Sequence, residues 1–203
     1  MRKTLTTRHE SYPDTHHDTY SRTTFGFWVF ILTDFVLFGT LLASYAVLQK
    51  QTFGSFSAKD LFHLPTLFVQ AQLLLFCSFF MGLGGAAAHR RKKNATLAFF
   101  AIAFLLGSAF FIMQWDLFSE MLQKGEHWKN SAFLSAYFTL IGTHAAHVVF
   151  GLLWIFVLLV PVACAKAIDG VDIRRLTCLK MFWQFLNMVW VIIFSFVYLM
   201  GVA

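Results

Sequence analysis

Five long apolar stretches, separated by short polar segments, dominate this sequence of 203 residues. About 20 consecutive apolar residues form a helix long enough to cross a bilayer. Only 13% of the residues are charged and 58% are hydrophobic, which leaves too few charges to cover a soluble surface. The sequence therefore excludes a soluble globule, a disordered chain and a nucleic-acid-binding protein. It predicts an all-α polytopic membrane bundle of five transmembrane helices, at about residues 25–48, 66–88, 95–115, 132–160 and 181–201.

The five spans are expected to form one domain, residues 25–203, preceded by a polar tail, residues 1–24. The tail shows no apolar periodicity, and it is not interpreted as a signal peptide because the first apolar run has full spanning length. Pro65 is expected to open the second span, and Pro161 is expected to stop the fourth. The third span can continue as a helix past the membrane surface, as far as Leu122.

Lysine and arginine are distributed unevenly between the two ends of these spans. Of the 16 such residues, 12 lie in the tail, the second-to-third loop and the fourth-to-fifth region, and 4 lie on the other side. Cytoplasmic loops of membrane proteins carry the excess of Lys and Arg. The sequence therefore predicts a cytoplasmic N-terminus and a periplasmic C-terminus, and this topology accounts for the net charge of +6.

Three ionisable residues lie inside the predicted spans: Asp34 in the first, and His144 and His147 in the fourth. A charge at the bilayer centre costs about 2.5–3.5 kcal/mol on insertion scales, so such side chains face protein or water. Asp34 lies close to mid-membrane, where an isolated carboxyl is expected to be protonated or hydrogen-bonded. Two interpretations stay open for Asp34: a proton-linked or lipid-linked carboxyl, and a neutral carboxyl with a structural role.

The fourth span has two distinct faces. His144 and His147 are three residues apart and share one face with Tyr137 and Gly151. The opposite face carries small residues, which allow helices to approach closely. These are Ser135, Thr139, Gly142 and Ala146. Contact on both faces predicts that the fourth span is the interior helix of the bundle.

The same two histidines are candidate ligands for a haem or a metal ion. Two imidazoles on one face of one helix cannot ligate a haem iron from opposite sides, and no other span has a histidine. A metal site formed by His144, His147 and Asp34 is the alternative. We favour hydrogen bonding between helices over a metal site as the role of these side chains.

The fifth span carries a polar stripe that begins with Gln184 and Asn187. Amides form hydrogen bonds without titrating. We therefore expect these two side chains to tie helices together and not to relay protons. Elsewhere the sequence has no phosphate-binding loop, nucleophile constellation or catalytic carboxylate pair. An independent transporter is the disfavoured alternative, since the prolines of the spans lie at their ends.

Five fragments occur in a characteristic order along the chain. They are FGFWVFILTDFVLFGTLLASYAV, LPTLFVQAQLLLFCS, GSAFFIMQWDLF, FLSAYFTLIGTHAAHVVFGLLW and WQFLNMVWVIIFSFVYLMG. The fourth contains a G-x-H-x-x-H-V-x-x-G motif. Together these fragments resemble subunit III of the haem-copper terminal oxidases, in the five-helix form found in bo-type quinol oxidases. The resemblance runs from about residue 25 to residue 201.

The resemblance implies an accessory, cofactor-free subunit of a proton-pumping quinol oxidase in a bacterial inner membrane. Haems and copper then belong to subunit I, against which this chain packs, with subunits II and IV also present and ubiquinol as the substrate of the complex. The resemblance also implies a bound phospholipid, with Asp34 as the carboxyl of its groove and His144 and His147 as an interior polar pair.

Four positions depart from the family's pattern. Gln70 and Leu117 stand where the family has glutamates, and Gln184 and Asn187 stand where it has His and Asp. Each change replaces a titratable group by one that does not titrate, so the departures favour a structural role over proton handling. Subunit III of a cytochrome c oxidase is the alternative identification.

Overall fold

The computed structural model describes residues 15–49, 64–125, 129, 131–164 and 168–199. Each of five helices in this part is long and apolar enough to cross a bilayer, so the predicted all-α membrane architecture is confirmed. The helices are α1 (Thr15–Leu48), α2 (Leu64–His89), α3 (Lys93–Gln123), α4 (Ala132–Cys164) and α5 (Gly170–Ile193). A π-helical turn, Phe194–Leu199, continues α5.

Three helices extend into polar sequence beyond the predicted spans. α1 begins at Thr15, inside the segment interpreted as a tail, of which residues 1–14 lie outside the described residues. α3 continues to Gln123, as expected. α5 begins at Gly170, because the Asp172 carboxylate accepts a hydrogen bond from the backbone N–H of Asp169 at 3.2 Å, as in a capping box. A capped start allows the helix to form before its apolar sequence begins.

α4 does not end before Pro161, as the sequence analysis expected, but runs to Cys164. The Lys93 ammonium donates a hydrogen bond to the backbone carbonyl of Ala163 at 2.8 Å. The last carbonyls of a helix have no partner within the helix. A lysine from the start of α3 supplies one here, which allows the final turn of α4 to form beyond the proline.

α5 is the interior helix of the bundle. It contacts α1, α2 and α4, and half of its apolar stretch is buried, against 28% for α4. The prediction that the fourth span is the interior helix is therefore wrong. The small residues Ser135, Thr139 and Ala146 of α4 are exposed in this chain and do not receive a neighbouring helix.

Large aromatic side chains of α5 explain its central position. The indole ring of Trp183 is completely buried and lies against two glycines, Gly107 of α3 and Gly151 of α4. A Cβ atom added at Gly107 would lie 2.9 Å from the Trp183 ring, and one at Gly151 would lie 3.2 Å from it. Because neither glycine has a side chain, α3 and α4 leave a space that the Trp183 indole fills.

Replacing Gly107 by alanine tests this packing. We expect Gly107→Ala to destabilise the protein by about 1–3 kcal/mol, because the new methyl group overlaps the Trp183 ring in a close-packed interior. Gly142→Ala is the matched control, since nothing lies within 4 Å of its added Cβ. The measurement is the midpoint of thermal unfolding in detergent. Equal midpoints for the two variants would contradict the packing argument.

Candidate functional site

Asp34 of α1 faces His147 of α4 inside the bundle. Asp34 Oδ2 lies 3.9 Å from His147 Nε2. This is longer than a hydrogen bond, and Asp34 Oδ2 has no hydrogen-bond partner in the described part of the chain. Asp34 is 8% exposed and His147 is partly exposed, so the two polar groups face each other at the edge of the bundle interior. The first span therefore places a carboxyl opposite an imidazole of the fourth span, without a direct hydrogen bond.

The other ring nitrogen of His147, Nδ1, has a hydrogen-bond partner on its own helix. The Nδ1–H group donates to the backbone carbonyl of Thr143 at 2.8 Å, one turn earlier on α4. A neutral histidine that carries its proton on Nδ1 leaves Nε2 as an acceptor. The Nε2 atom is therefore the ring nitrogen that faces Asp34 across the gap between α1 and α4.

His144 is held by a different helix. Its Nε2–H group donates to the backbone carbonyl of Leu186 on α5 at 3.2 Å. The ring lies among the aromatic rings of Phe38, Phe110 and Trp190, with centroid distances of 6.2, 6.1 and 5.1 Å. His144 therefore ties α4 to the interior helix, while His147 faces α1.

This separation bears on the disfavoured alternative, a metal site formed by these side chains. A site formed by both histidines and Asp34 would need their free nitrogen and oxygen atoms to converge. The Nε2 atom of His144 instead points to the Leu186 carbonyl. Within the described residues, no three His, Cys, Asp or Glu side chains are grouped closely enough to hold a metal ion. The favoured interpretation, hydrogen bonding between helices, fits His144.

The predicted polar ties of the fifth span are not formed inside this chain. Gln184 is exposed, and no described residue forms a hydrogen bond with its side chain. Asn187 is half-buried, and its buried Oδ1 has no partner among the described residues. Within the described part of this chain, Gln184 therefore does not tie two helices together through a hydrogen bond. Its side chain points out of the bundle, because α5 turns its tryptophans inward.

The sequence analysis did not predict the contacts of several other buried polar side chains. The hydroxyl groups of Tyr137 and Tyr198 lie 3.1 Å apart and join α4 to the π-helical turn. Gln70 and Gln114 are buried, and their amide atoms have no hydrogen-bond partner in the described part of the chain, although Gln114 lies beside Tyr198. The sequence shows each residue as polar within a span. Only their arrangement across helices shows which ones meet.

A pocket of about 350 Å³ lies where the start of α1, the end of α4 and the start of α5 meet. Arg174 and Arg175 line it, and neither forms an ion pair within the described residues. The apolar part of its wall includes Phe27, Trp154 and Val171. Two cationic side chains beside an apolar wall suit an anionic amphiphile. The sequence analysis counted these arginines only as topology signals.

Comparisons with known proteins identify the family. No protein-family model matches the chain. The cytochrome bo(3) ubiquinol oxidase subunit 3 of Pseudomonas aeruginosa is 42% identical, over 93% of this chain and 90% of that protein. The cytochrome c oxidase subunit 3 of Bacillus sp. (strain PS3) is 38% identical, over 88% of this chain and 86% of that protein.

A third relative, the probable quinol oxidase subunit 3 of Staphylococcus saprophyticus, is 33% identical over 88% of this chain and 89% of that protein. All three similarities extend over nearly the whole length of both proteins. The chain therefore belongs to the subunit III family of the haem-copper terminal oxidases.

Proposed function

We propose that the chain is the non-catalytic subunit III of a proton-pumping quinol oxidase, which transfers electrons from ubiquinol to oxygen. The observation that carries this proposal is the 42% identity with a bo(3) ubiquinol oxidase subunit 3 over nearly the whole chain. In this proposal the chain packs against subunit I, which holds the haems and the copper, and subunits II and IV complete the complex. The complex lies in the inner membrane of a bacterium.

The described interior of the bundle is mainly hydrophobic, as expected of a subunit with a structural role. Its buried polar side chains in the described part are Asp34, Gln70, Thr96, Gln114, Ser131 and His144. Several of them join helices or bond to backbone, as His144 does with Leu186. Hydrophobic side chains, many of them large and aromatic, fill the rest of the described interior, which supports a role in holding a neighbour in place.

The proposed orientation places the N-terminus in the cytoplasm. The start of α1, the turn at Arg90–Lys92 between α2 and α3, and the start of α5 all lie at one end of an alternating bundle. This end carries the arginine-rich segments, and cytoplasmic ends of membrane proteins carry the excess of basic residues. The pocket with Arg174 and Arg175 then faces the cytoplasmic leaflet, where anionic lipids are concentrated.

We infer that a phospholipid occupies this pocket, with its phosphate beside Arg174 and Arg175 and its acyl chains against the apolar wall. Arginine forms charge-assisted hydrogen bonds with phosphate oxygens. Asp34 lies two turns along α1 from Phe27 of the pocket, and we assign it to the wall of the same groove.

A second candidate differs only in the electron donor. The relative from Bacillus sp. (strain PS3) is a cytochrome c oxidase subunit 3 and is 38% identical to this chain. The oxygen-consumption activity of the purified complex with ubiquinol and with reduced cytochrome c separates the two candidates.

Purification from native membranes tests the proposed function. We expect an affinity-tagged chain, extracted in mild detergent, to co-elute with larger subunits and to show haem bands in a reduced-minus-oxidised spectrum. The chain expressed alone is the control and is expected to show no haem absorbance. Stoichiometric haem in the isolated chain, or elution of the tagged chain without partners, would refute the proposal.

The lipid assignment is tested by the double variant Arg174→Gln with Arg175→Gln. We expect about a tenfold loss of co-purified anionic phospholipid, because each arginine supplies charge-assisted hydrogen bonds to phosphate. The matched control is Arg90→Gln with Arg91→Gln, since both residues are exposed and lie outside the pocket. Native mass spectrometry of the complex measures the bound lipid. An equal loss in both double variants would indicate surface charge instead of a site.

Asp34→Asn tests the pairing of Asp34 with His147. An asparagine amide keeps an uncharged polar group of the same size opposite the Nε2 atom of His147, so we expect the complex to assemble nearly as well as the wild type. Asp34→Leu removes the polar group and is expected to lower the yield of intact complex several-fold. The readout is the ratio of this chain to the other subunits after size-exclusion chromatography. Loss of assembly in Asp34→Asn would show that an ionised carboxylate is required.

A further inference from the structure

Four polar side chains from different helices meet inside the bundle, in the half that lies away from the start of α5. Tyr45 lies one turn before the end of α1, and Tyr137 lies in the second turn of α4. The hydroxyl groups of Tyr137 and Tyr198 are 3.1 Å apart. Gln114 lies beside Tyr198, and Tyr45 is a near neighbour of both other tyrosines. We call Tyr45, Gln114, Tyr137 and Tyr198 the tyrosine cluster.

The tyrosine cluster is closed to bulk solvent. None of its four residues is more than 2% exposed. Within the described residues, neither the Tyr45 hydroxyl nor the two amide atoms of Gln114 have a hydrogen-bond partner. Buried polar groups are nearly always paired, with protein or with an ordered water, because an unpaired group loses its hydration without compensation. These three atoms therefore require a partner that the described residues do not supply.

The backbone conformation places Tyr198 in the cluster. Residues Phe194–Leu199 form a π-helical turn. Hydrogen bonds of this type run from residue i to residue i+5, so the turn directs its side chains differently from an α-helical turn. Such turns are rare and occur frequently at functional sites. A rare backbone conformation and a buried polar cluster at the same place indicate that the cluster has a specific role.

We propose that the tyrosine cluster binds internal water, which bridges the Tyr45 hydroxyl and the Gln114 amide beside the pair of Tyr137 and Tyr198. Water both donates and accepts hydrogen bonds, so one molecule satisfies several of these atoms. None of the four side chains is charged at neutral pH, so the cluster suits a neutral ligand and not an ion. Gln114 also lines a cavity of about 260 Å³ between α3 and α4, which provides space next to the cluster. This inference does not depend on the proposed function.

Radiolytic labelling tests for the bound water. X-rays convert water to hydroxyl radicals, and a buried tyrosine is hydroxylated when a water molecule lies beside it. The full-length chain, purified with the subunits that co-elute, is irradiated and analysed by mass spectrometry. We expect Tyr45 and Tyr198 to be labelled several-fold faster than Phe100, the matched control, which is completely buried and lies outside the cluster. Labelling of the tyrosines no faster than that of Phe100 would overturn the inference.

Substitution of Tyr45 supplies an independent measurement, because Tyr45→Phe removes only the hydroxyl group. Removal of a buried hydroxyl that has no partner is neutral or stabilising, whereas removal of one that bonds to water loses a hydrogen bond. We expect a thermal midpoint lower by about 2–4 °C, the shift for one hydrogen bond in a chain of this length. We also expect a several-fold loss of labelling at Tyr198. An unchanged or higher midpoint in Tyr45→Phe would contradict the inference.

Discussion

The burial of the Trp183 indole against two glycines determines how the helices of this protein are arranged. Gly107 of α3 and Gly151 of α4 leave the space that the ring fills, so both helices approach α5 closely. At that distance His144 of α4 can donate its Nε2–H to the Leu186 carbonyl of α5. In hydrocarbon there is little hydrophobic drive to join helices, so such packing and hydrogen bonds carry the association.

The polar interior follows from this arrangement. Once α4 lies against α5, His144 is enclosed by aromatic rings, and His147, one turn further along, faces Asp34 of α1 instead. The two histidines therefore do different things although they are only three residues apart. One bonds to backbone and stabilises a helix contact, and the other lies beside a carboxyl. Both arrangements suit a subunit that supports a catalytic neighbour.

The exterior of the bundle divides into regions of different chemistry. At one end, two arginines beside an apolar wall form a pocket with the properties of a lipid headgroup site. Along the side, two cavities between α1 and α5 are lined by small residues of α1 and by the exposed amide of Gln184.

The sequence by itself determined the number of helices, the membrane class and the family, because the length of an apolar run and the order of motifs are properties of the chain alone. It identified Asp34, His144 and His147 as the ionisable residues of the spans, but not their partners. Only the tertiary structure decided that α5 is the interior helix, that Gln184 points outward and that Arg174 lines a pocket. The physical reason is that a helix presents several faces at once, and the shapes of its neighbours select which face becomes buried.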